Sequence, residues 1–229
     1  MSAPPPKVLL AVITDGKPDM NLQCCISILH TQIDLMTAAK ENAFMAELLF
    51  FEKINDALDK LHKDKDCKGA FIIRHNSYVP GVFAVKAFGS GEKIVISPSP
   101  RASVDWGRVK DKCLTADEVT SHIGNTYNAK LKGLPNKNGY ALAKDTDWID
   151  AMFVRREVVD DIAAKHPEIV SPEKSAFALD GVYDGRFVNG PKRFFEMYGG
   201  PVLADVENQT KVSGPLEYVG CVGSRKILR

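Results

Sequence analysis

The sequence predicts an α/β fold with a mostly parallel central sheet and helices on both faces. Three observations carry this. Strand-length apolar runs recur along the first hundred residues, at Lys7-Val8-Leu9-Leu10-Ala11-Val12-Ile13-Thr14, Gly69-Ala70-Phe71-Ile72-Ile73 and Lys93-Ile94-Val95-Ile96-Ser97. Their lack of polar alternation suits strands buried on both faces. Between them lie segments whose apolar residues recur at helical spacing, and strands alternating with helices argue for parallel pairing.

The elements follow in order. Ser2-Ala3-Pro4-Pro5-Pro6 is an extended leader without a signal-peptide pattern. The first strand ends in Thr14-Asp15-Gly16-Lys17-Pro18-Asp19, which is turn chemistry. Asn21 is a helix N-cap in type. Leu22, Cys25, Ile26, Leu29, Ile33 and Met36 then recur with helical period. Ala46 to Phe51 reads as a second strand, and Glu52 to Lys63 as a helix carrying Ile54, Leu58 and Leu61. Lys63-Asp64-Lys65-Asp66 is a solvated turn before the strand at Gly69. A helix is expected near Val82 to Phe88, and a strand over Lys93 to Ser97 closed by Pro98 and Pro100. From residue 101 to about Asn138 the pattern breaks into loops and short elements, with Gly139-Tyr140-Ala141 of the same kind. Asp147 to Val154 reads as a strand with a polar start, and Arg155 to Lys165 as a helix ended by His166-Pro167. The last sixty residues, aromatic and turn-rich, read as an irregular cap rather than a second domain. The expectation is a single domain over 1–229.

Composition narrows the function classes. A chain of 229 residues, 45% hydrophobic, can bury a core without disulfide or metal staples. A formal net charge of +1 gives no reason to expect nucleic acid or an anionic membrane. No stretch approaches the about 20 apolar residues of a membrane span. The five cysteines, Cys24, Cys25, Cys67, Cys113 and Cys221, include no C-x-x-C. They read as free thiols in a reducing, cytoplasmic compartment, and a zinc site is not expected. The sequence has no G-x-G-x-x-G, phosphate loop, G-x-S-x-G or H-E-x-x-H.

Candidate binding residues gather at the expected strand ends. Ligands of open α/β sheets bind at the C-terminal ends of strands. Arg74, His75 and Asn76 follow the third strand and suit an anion or a sugar, though a solvated strand end has the same composition. Thr14 and Asp15 follow the first strand and could line the same crevice, or form a plain turn. Asp105-Trp106 and Asp147-Trp148-Ile149-Asp150 pair carboxylates with aromatics, as sugar binders do: a sugar ring face stacks on Trp and hydroxyls donate to carboxylates. Core Trp and capping Asp fit these residues too. Asp180, Asp184 and Arg186 surround two glycines, so acid/base work and Asp-Gly turns both remain open.

The order of these pieces resembles the GT-A glycosyltransferases, nucleotide-diphospho-sugar transferases, and in particular small family-2-like ones. In those a strand runs into a D-x-D motif, roughly FIDxDxxxxP, whose carboxylates hold a divalent metal on the donor pyrophosphate. Phe71-Ile72-Ile73-Arg74-His75-Asn76-Ser77-Tyr78-Val79-Pro80 lines up with it. The next family strand and its aromatic loop resemble Lys93 to Pro98 and Asp105 to Val109. The acceptor-side strand and helix resemble Asp147 to Val158. The resemblance implies a nucleotide-binding half over 1–100, and an acceptor half with a cap over 101–229.

Three departures stand out. Arg74-His75-Asn76 replaces D-x-D. Asn189-Gly190-Pro191-Lys192-Arg193 stands where the family has an acidic pair, and no His lies near Lys211-Val212-Ser213-Gly214. These departures disfavour the divalent metal, such as manganese, that the resemblance implies, and one account that fits them is a metal-independent transferase with Lys or Arg in place of the cation. Arg74, Lys192, Arg193 and Lys211 would hold the diphosphate, Asp150 or Asp180 would be the base, and a glycan or protein would be the acceptor. The alternative is a catalytically inactive GT-A scaffold that works through protein partners or self-assembly.

Overall fold

The structure is a computed structural model, and it describes residues 7–16, 20, 22–42, 45–104, 125–144, 146, 149–167, 181–183, 186–188 and 190–212. The fold is α/β. In the first half, strand β1 (Lys7–Ile13) leads to α1 (Leu22–Asn42), β2 (Met45–Phe51), α2 (Ile54–Lys63) and β3 (Cys67–Arg74). Then come β4 (Ser77–Tyr78), α3 (Gly81–Gly89), β5 (Ile94–Ile96) and β6 (Pro100–Val104). The second half holds β7 (Asn125–Tyr127), β8 (Lys130–Lys132), β9 (Tyr140–Lys144), β10 (Ala151–Arg155) and α4 (Arg156–Lys165). It ends with β11 (Gly181–Tyr183), β12 (Arg186–Val188), α5 (Gly190–Tyr198), β13 (Leu203–Asp205) and β14 (Lys211–Val212).

Among the described residues, eight strands form the central sheet in the order β2-β1-β3-β10-β5-β13-β9-β8. β1 pairs in parallel with both β2 and β3, and β5 pairs in parallel with β13. β10 runs antiparallel between β3 and β5, and β9 antiparallel between β13 and β8. All the sheet strands except β10 and β9 therefore share one direction. The C-terminal ends of β1, β3, β5 and β13 lie along one edge, and β10 enters at that edge.

Both faces are covered, which explains the unbroken apolar runs. Leu9, Ala11 and Ile13 of β1 point into one core layer with Ile72, Met152 and α2 and α4 residues such as Leu58 and Ile162. Val8, Leu10 and Val12 point into the other, with Phe71, Phe153, Ile28 and Leu35 of α1, and Phe83 of α3. Successive strand side chains alternate between faces, so a two-sided strand must be apolar at every position. Gly69 lets β10 come close: a Cβ there would lie 2.8 Å from the Phe153 ring and 3.0 Å from the Val154 carbonyl oxygen.

Three expectations change. The Leu22, Ile26, Leu29, Ile33, Met36 stripe marks α1, but it faces outward. Cys24, Ser27, Ile28, Thr31 and Leu35 take the inner face, where Ser27 Oγ donates to the Val79 carbonyl at 2.7 Å. The C-terminal stretch expected as a cap contributes β13 to the sheet interior, and Gly139-Tyr140-Ala141, expected among loops and short elements, leads into β9 over Tyr140–Lys144. Cys24, Cys25 and Cys67 are free thiols, and burial pushes Cys24 up to about 12. No helix among the described residues is long and apolar enough to cross a membrane.

Candidate functional site

The strand ends on the shared edge are tied to one another by main-chain bonds. Thr14 N donates to the Phe51 carbonyl at 2.9 Å, joining the ends of β1 and β2. His75 N donates to Ile13 O at 2.8 Å, joining β3 to β1, and Arg74 N donates to Asp150 O at 2.9 Å, joining β3 to the start of β10. This lattice fixes where Thr14, Asp15, Arg74, His75 and Asp150 stand.

Asp15 and Gly16 both turn left-handed, with φ of 53° and 69°. Asp tolerates that region better than most residues and Gly freely. The turn aims Asp15 across the edge. Arg74 Nη1 donates to Asp15 Oδ1 at 2.8 Å and Oδ2 at 2.7 Å, and Arg74 Nε donates to Ile149 O at 2.8 Å. The guanidinium is thus anchored from two sides. His75 is buried beside it, with Nδ1 3.6 Å from Asp15 Oδ2 and without a hydrogen bond. Asn76 Oδ1 accepts a long bond of 3.4 Å from Ser77 Oγ. Thr14 Oγ1 donates to Phe51 O at 3.2 Å.

Asp150 is buried, and its Oδ2 accepts a short hydrogen bond from Ser99 Oγ. Ser99 is itself held by Asn128, whose Oδ1 accepts from Ser99 N at 2.9 Å. Ser97 Oγ donates to Asn208 O at 2.6 Å and accepts from Thr210 Oγ1 at 2.7 Å. The sequence signal for this group was Ser97-Pro98-Ser99-Pro100: the prolines hold the chain extended past β5, and the serines between them are buried. Ser97, Ser99, Asn128 and Thr210 were not anticipated as part of the edge.

At the end of β13 the buried Asp205 accepts from Lys86 Nζ at 3.0 Å, and Glu207 accepts from the same ammonium at 2.7 Å. Burial pulls the Lys86 pKa down, but these bonds outweigh it and hold the group above the ordinary lysine value.

The structure therefore brings Asp15, Arg74 and His75 together, with Asp150 behind them. Lys211 pairs with Tyr78 in the β14–β4 ladder, placing its backbone near the His75-Asn76 turn. Arg193 is partly buried in the first turn of α5, next to the fully buried Phe194. Lys192 stands in the same turn. Asp105, Trp106, Trp148 and Asp180 lie outside the described residues. Among the described residues no three His, Cys, Asp or Glu side chains converge as metal ligands. A pocket of about 260 Å³ opens at the opposite edge of the sheet, between Leu142, Thr146, Phe195, Glu196 and Val202. It is remote from the Asp15–Arg74 pair.

No family model matches the chain, and no curated protein matches it. Among solved structures it is similar to A197 from STIV, with 14% identity over 89% of this chain and 84% of that one, TM-score 0.41. It is similar to a provisional glucose-1-phosphate thymidylyltransferase from Bacillus anthracis, with 8% identity over 96% and 94% and TM-score 0.46. It is also similar to the inositol-1-phosphate CTP transferase from T. maritima, with 9% identity over 98% and 97% and TM-score 0.41. Identities and TM-scores this low bear on neither ligand nor activity.

Proposed function

We propose that this chain is a nucleotide-sugar-binding protein of the GT-A glycosyltransferase type that holds the donor diphosphate at the C-terminal edge of the sheet without a divalent cation. The observation that carries the reading is Arg74. Its guanidinium stands at the end of β3, oriented by Asp15 and Ile149 O, where the resemblance puts a metal-binding carboxylate. A guanidinium is always charged and its planar fork matches phosphate oxygens.

The residues do not fit manganese. Arg, His and Asn occupy the strand end, and the neighbouring carboxylate, Asp15, is already in an ion pair. In a transfer, the bond from the sugar's anomeric carbon to the diphosphate breaks and one to an acceptor hydroxyl forms. The acceptor proton passes to a carboxylate, and the charge left on the diphosphate meets fixed cations. Arg74, Lys192, Arg193 and Lys211 are the proposed cations and Asp150 or Asp180 the proposed base. Thr14, Asp15, His75, Asn76, Asp105, Trp106 and Trp148 are the proposed contacts to donor and acceptor.

One observation favours a second reading, a scaffold that no longer catalyses. Asp150 is buried and bonded to Ser99, and Arg74 is paired with Asp15, so both charges the chemistry needs are engaged within the chain. Thermal-shift titration with UDP, GDP and their sugars, in manganese and in EDTA, tests the first reading. A nucleotide that raises the melting temperature equally in both supports it, and silence from all of them removes it. Binding with no release of nucleotide diphosphate in the presence of acceptor glycans selects the second.

A further inference from the structure

Helix α1 is apolar on two sides. One stripe holds Ile28 and Leu35, packed against the sheet and α3, and the buried Cys24. The other, Leu22, Ile26, Leu29, Ile33 and Met36, is exposed by 73, 41, 54, 58 and 51%. A helix apolar on both sides belongs between two partners, and no described residue covers the second stripe. Its spacing is four, three, four, three, the repeat of a coiled-coil seam rather than the broader stripe of a core-facing helix.

The residue types at that seam are also specific. The β-branched Ile26 and Ile33 fall at a positions, and Leu22, Leu29 and Met36 at d positions. In parallel coiled coils, Ile at a with Leu at d favours two strands. The flanking positions hold Gln23, Cys25, His30, Gln32 and Thr37, with no carboxylate, lysine or arginine. Charges at such flanks normally select a different partner or repel a like one, and here none opposes an identical helix. Five large apolar side chains, each 41–73% exposed, share this one face. Sealing them in two copies, with the flanking residues, approaches the roughly 1,000 Å² that a specific interface must clear.

We propose that this chain forms a two-fold dimer with a second copy of itself, α1 packing parallel to α1 through Leu22, Ile26, Leu29, Ile33 and Met36. A parallel pair places the symmetry axis along the seam, so the contact closes on itself and stops at two. The interface is independent of the proposed nucleotide site, which lies at the strand ends.

Light scattering behind size exclusion, over a wide dilution series of the full chain, tests this. The expected mass is twice the 25.2 kDa of one chain, falling to one chain in the double variant Ile26→Glu/Leu29→Glu with its circular dichroism and melting temperature kept. A Met36→Cys variant in a Cys25→Ser background should form an oxidised cross-linked dimer that Cys25→Ser alone does not. In a parallel pair the two copies of residue 36 face each other within disulfide reach, whereas an antiparallel pair sets Met36 opposite Leu22, roughly 21 Å along the helix from its mate. A monomer at every dilution, a trimer or larger species, a dimer that survives both glutamates, or no added cross-link would each overturn the proposal. So would unfolding of the glutamate variant, which would show the stripe packed within one chain.

Discussion

Arg74 Nη1 donates to both carboxylate oxygens of Asp15, at 2.8 and 2.7 Å, across a sequence separation of 59 residues. The pair joins the loop after β1 to the end of β3 and places a fixed cation at the sheet edge. Replacing Arg74 by Ala should lower stability by about 1–2 kcal/mol, because a partly buried carboxylate loses its charged donor. Arg74→Lys should not restore the loss. A single ammonium cannot serve Asp15 and Ile149 O together as Nη1 and Nε do. Denaturant melts of the three proteins measure this.

Gly69 is expected to tolerate no side chain. A Cβ would meet the Phe153 ring at 2.8 Å and the Val154 carbonyl at 3.0 Å, and the latter is backbone that cannot step aside. Gly69→Ala should cost about 1–3 kcal/mol by overpacking the β3–β10 contact. A chemical-denaturation midpoint that does not move would show that β10 can shift away.

Lys86 should matter for stability and for its alkaline limit. Lys86→Met leaves the fully buried Asp205 without its ammonium, although Glu207 N and Asn208 N still donate to it. The expected loss is about 1–3 kcal/mol. The folded pKa of Lys86 is raised by Glu207 and Asp205 against the pull of burial. Its contribution is therefore complete below the unfolded lysine pKa and is lost as pH rises through the higher folded value. Melts across the alkaline range should show a shallower decline in the variant than in the parent.

Asp64 sets the opposite limb. Its hydrogen bond from Lys60 lowers its pKa, burial opposes this, and Lys60 and Lys7 add attraction. That stability is present above the unfolded carboxylate pKa and is lost as pH falls through the lowered folded value. The ion pairs are partly solvated, so Asp64→Asn should cost no more than about 1 kcal/mol at neutral pH and flatten the acid limb of the melting profile.

The framework was legible because β1, β3, β5 and β10 are buried on both faces and so carry charged residues only near their ends. β9 and β13 were not: Leu203–Asp205 is three residues long, too short for any period, and is a strand only because β5 and β9 flank it. The direction of α1 was hidden for a different reason. Both of its stripes are apolar, and periodicity finds a helix without saying which side is inside. In the site, strand-end logic selected Asp15, Arg74 and His75. It could not show that Asp15 and Arg74 are ion-paired, since pairing over 59 residues depends on β1 and β3 being neighbours. Ser99 escaped notice because a serine between prolines reads as loop until Asp150 is placed against it.

Under the proposed function, Arg74 does the work of a metal ion on a nucleotide diphosphate. Isothermal calorimetry in EDTA, titrating UDP and GDP into the parent and into Arg74→Ala, tests it most directly. The account predicts saturable binding of one of them to the parent without any divalent cation, weakened at least tenfold in the variant, about 1.4 kcal/mol. Binding that appears only when manganese is added, or that is equal in the two proteins, would contradict it.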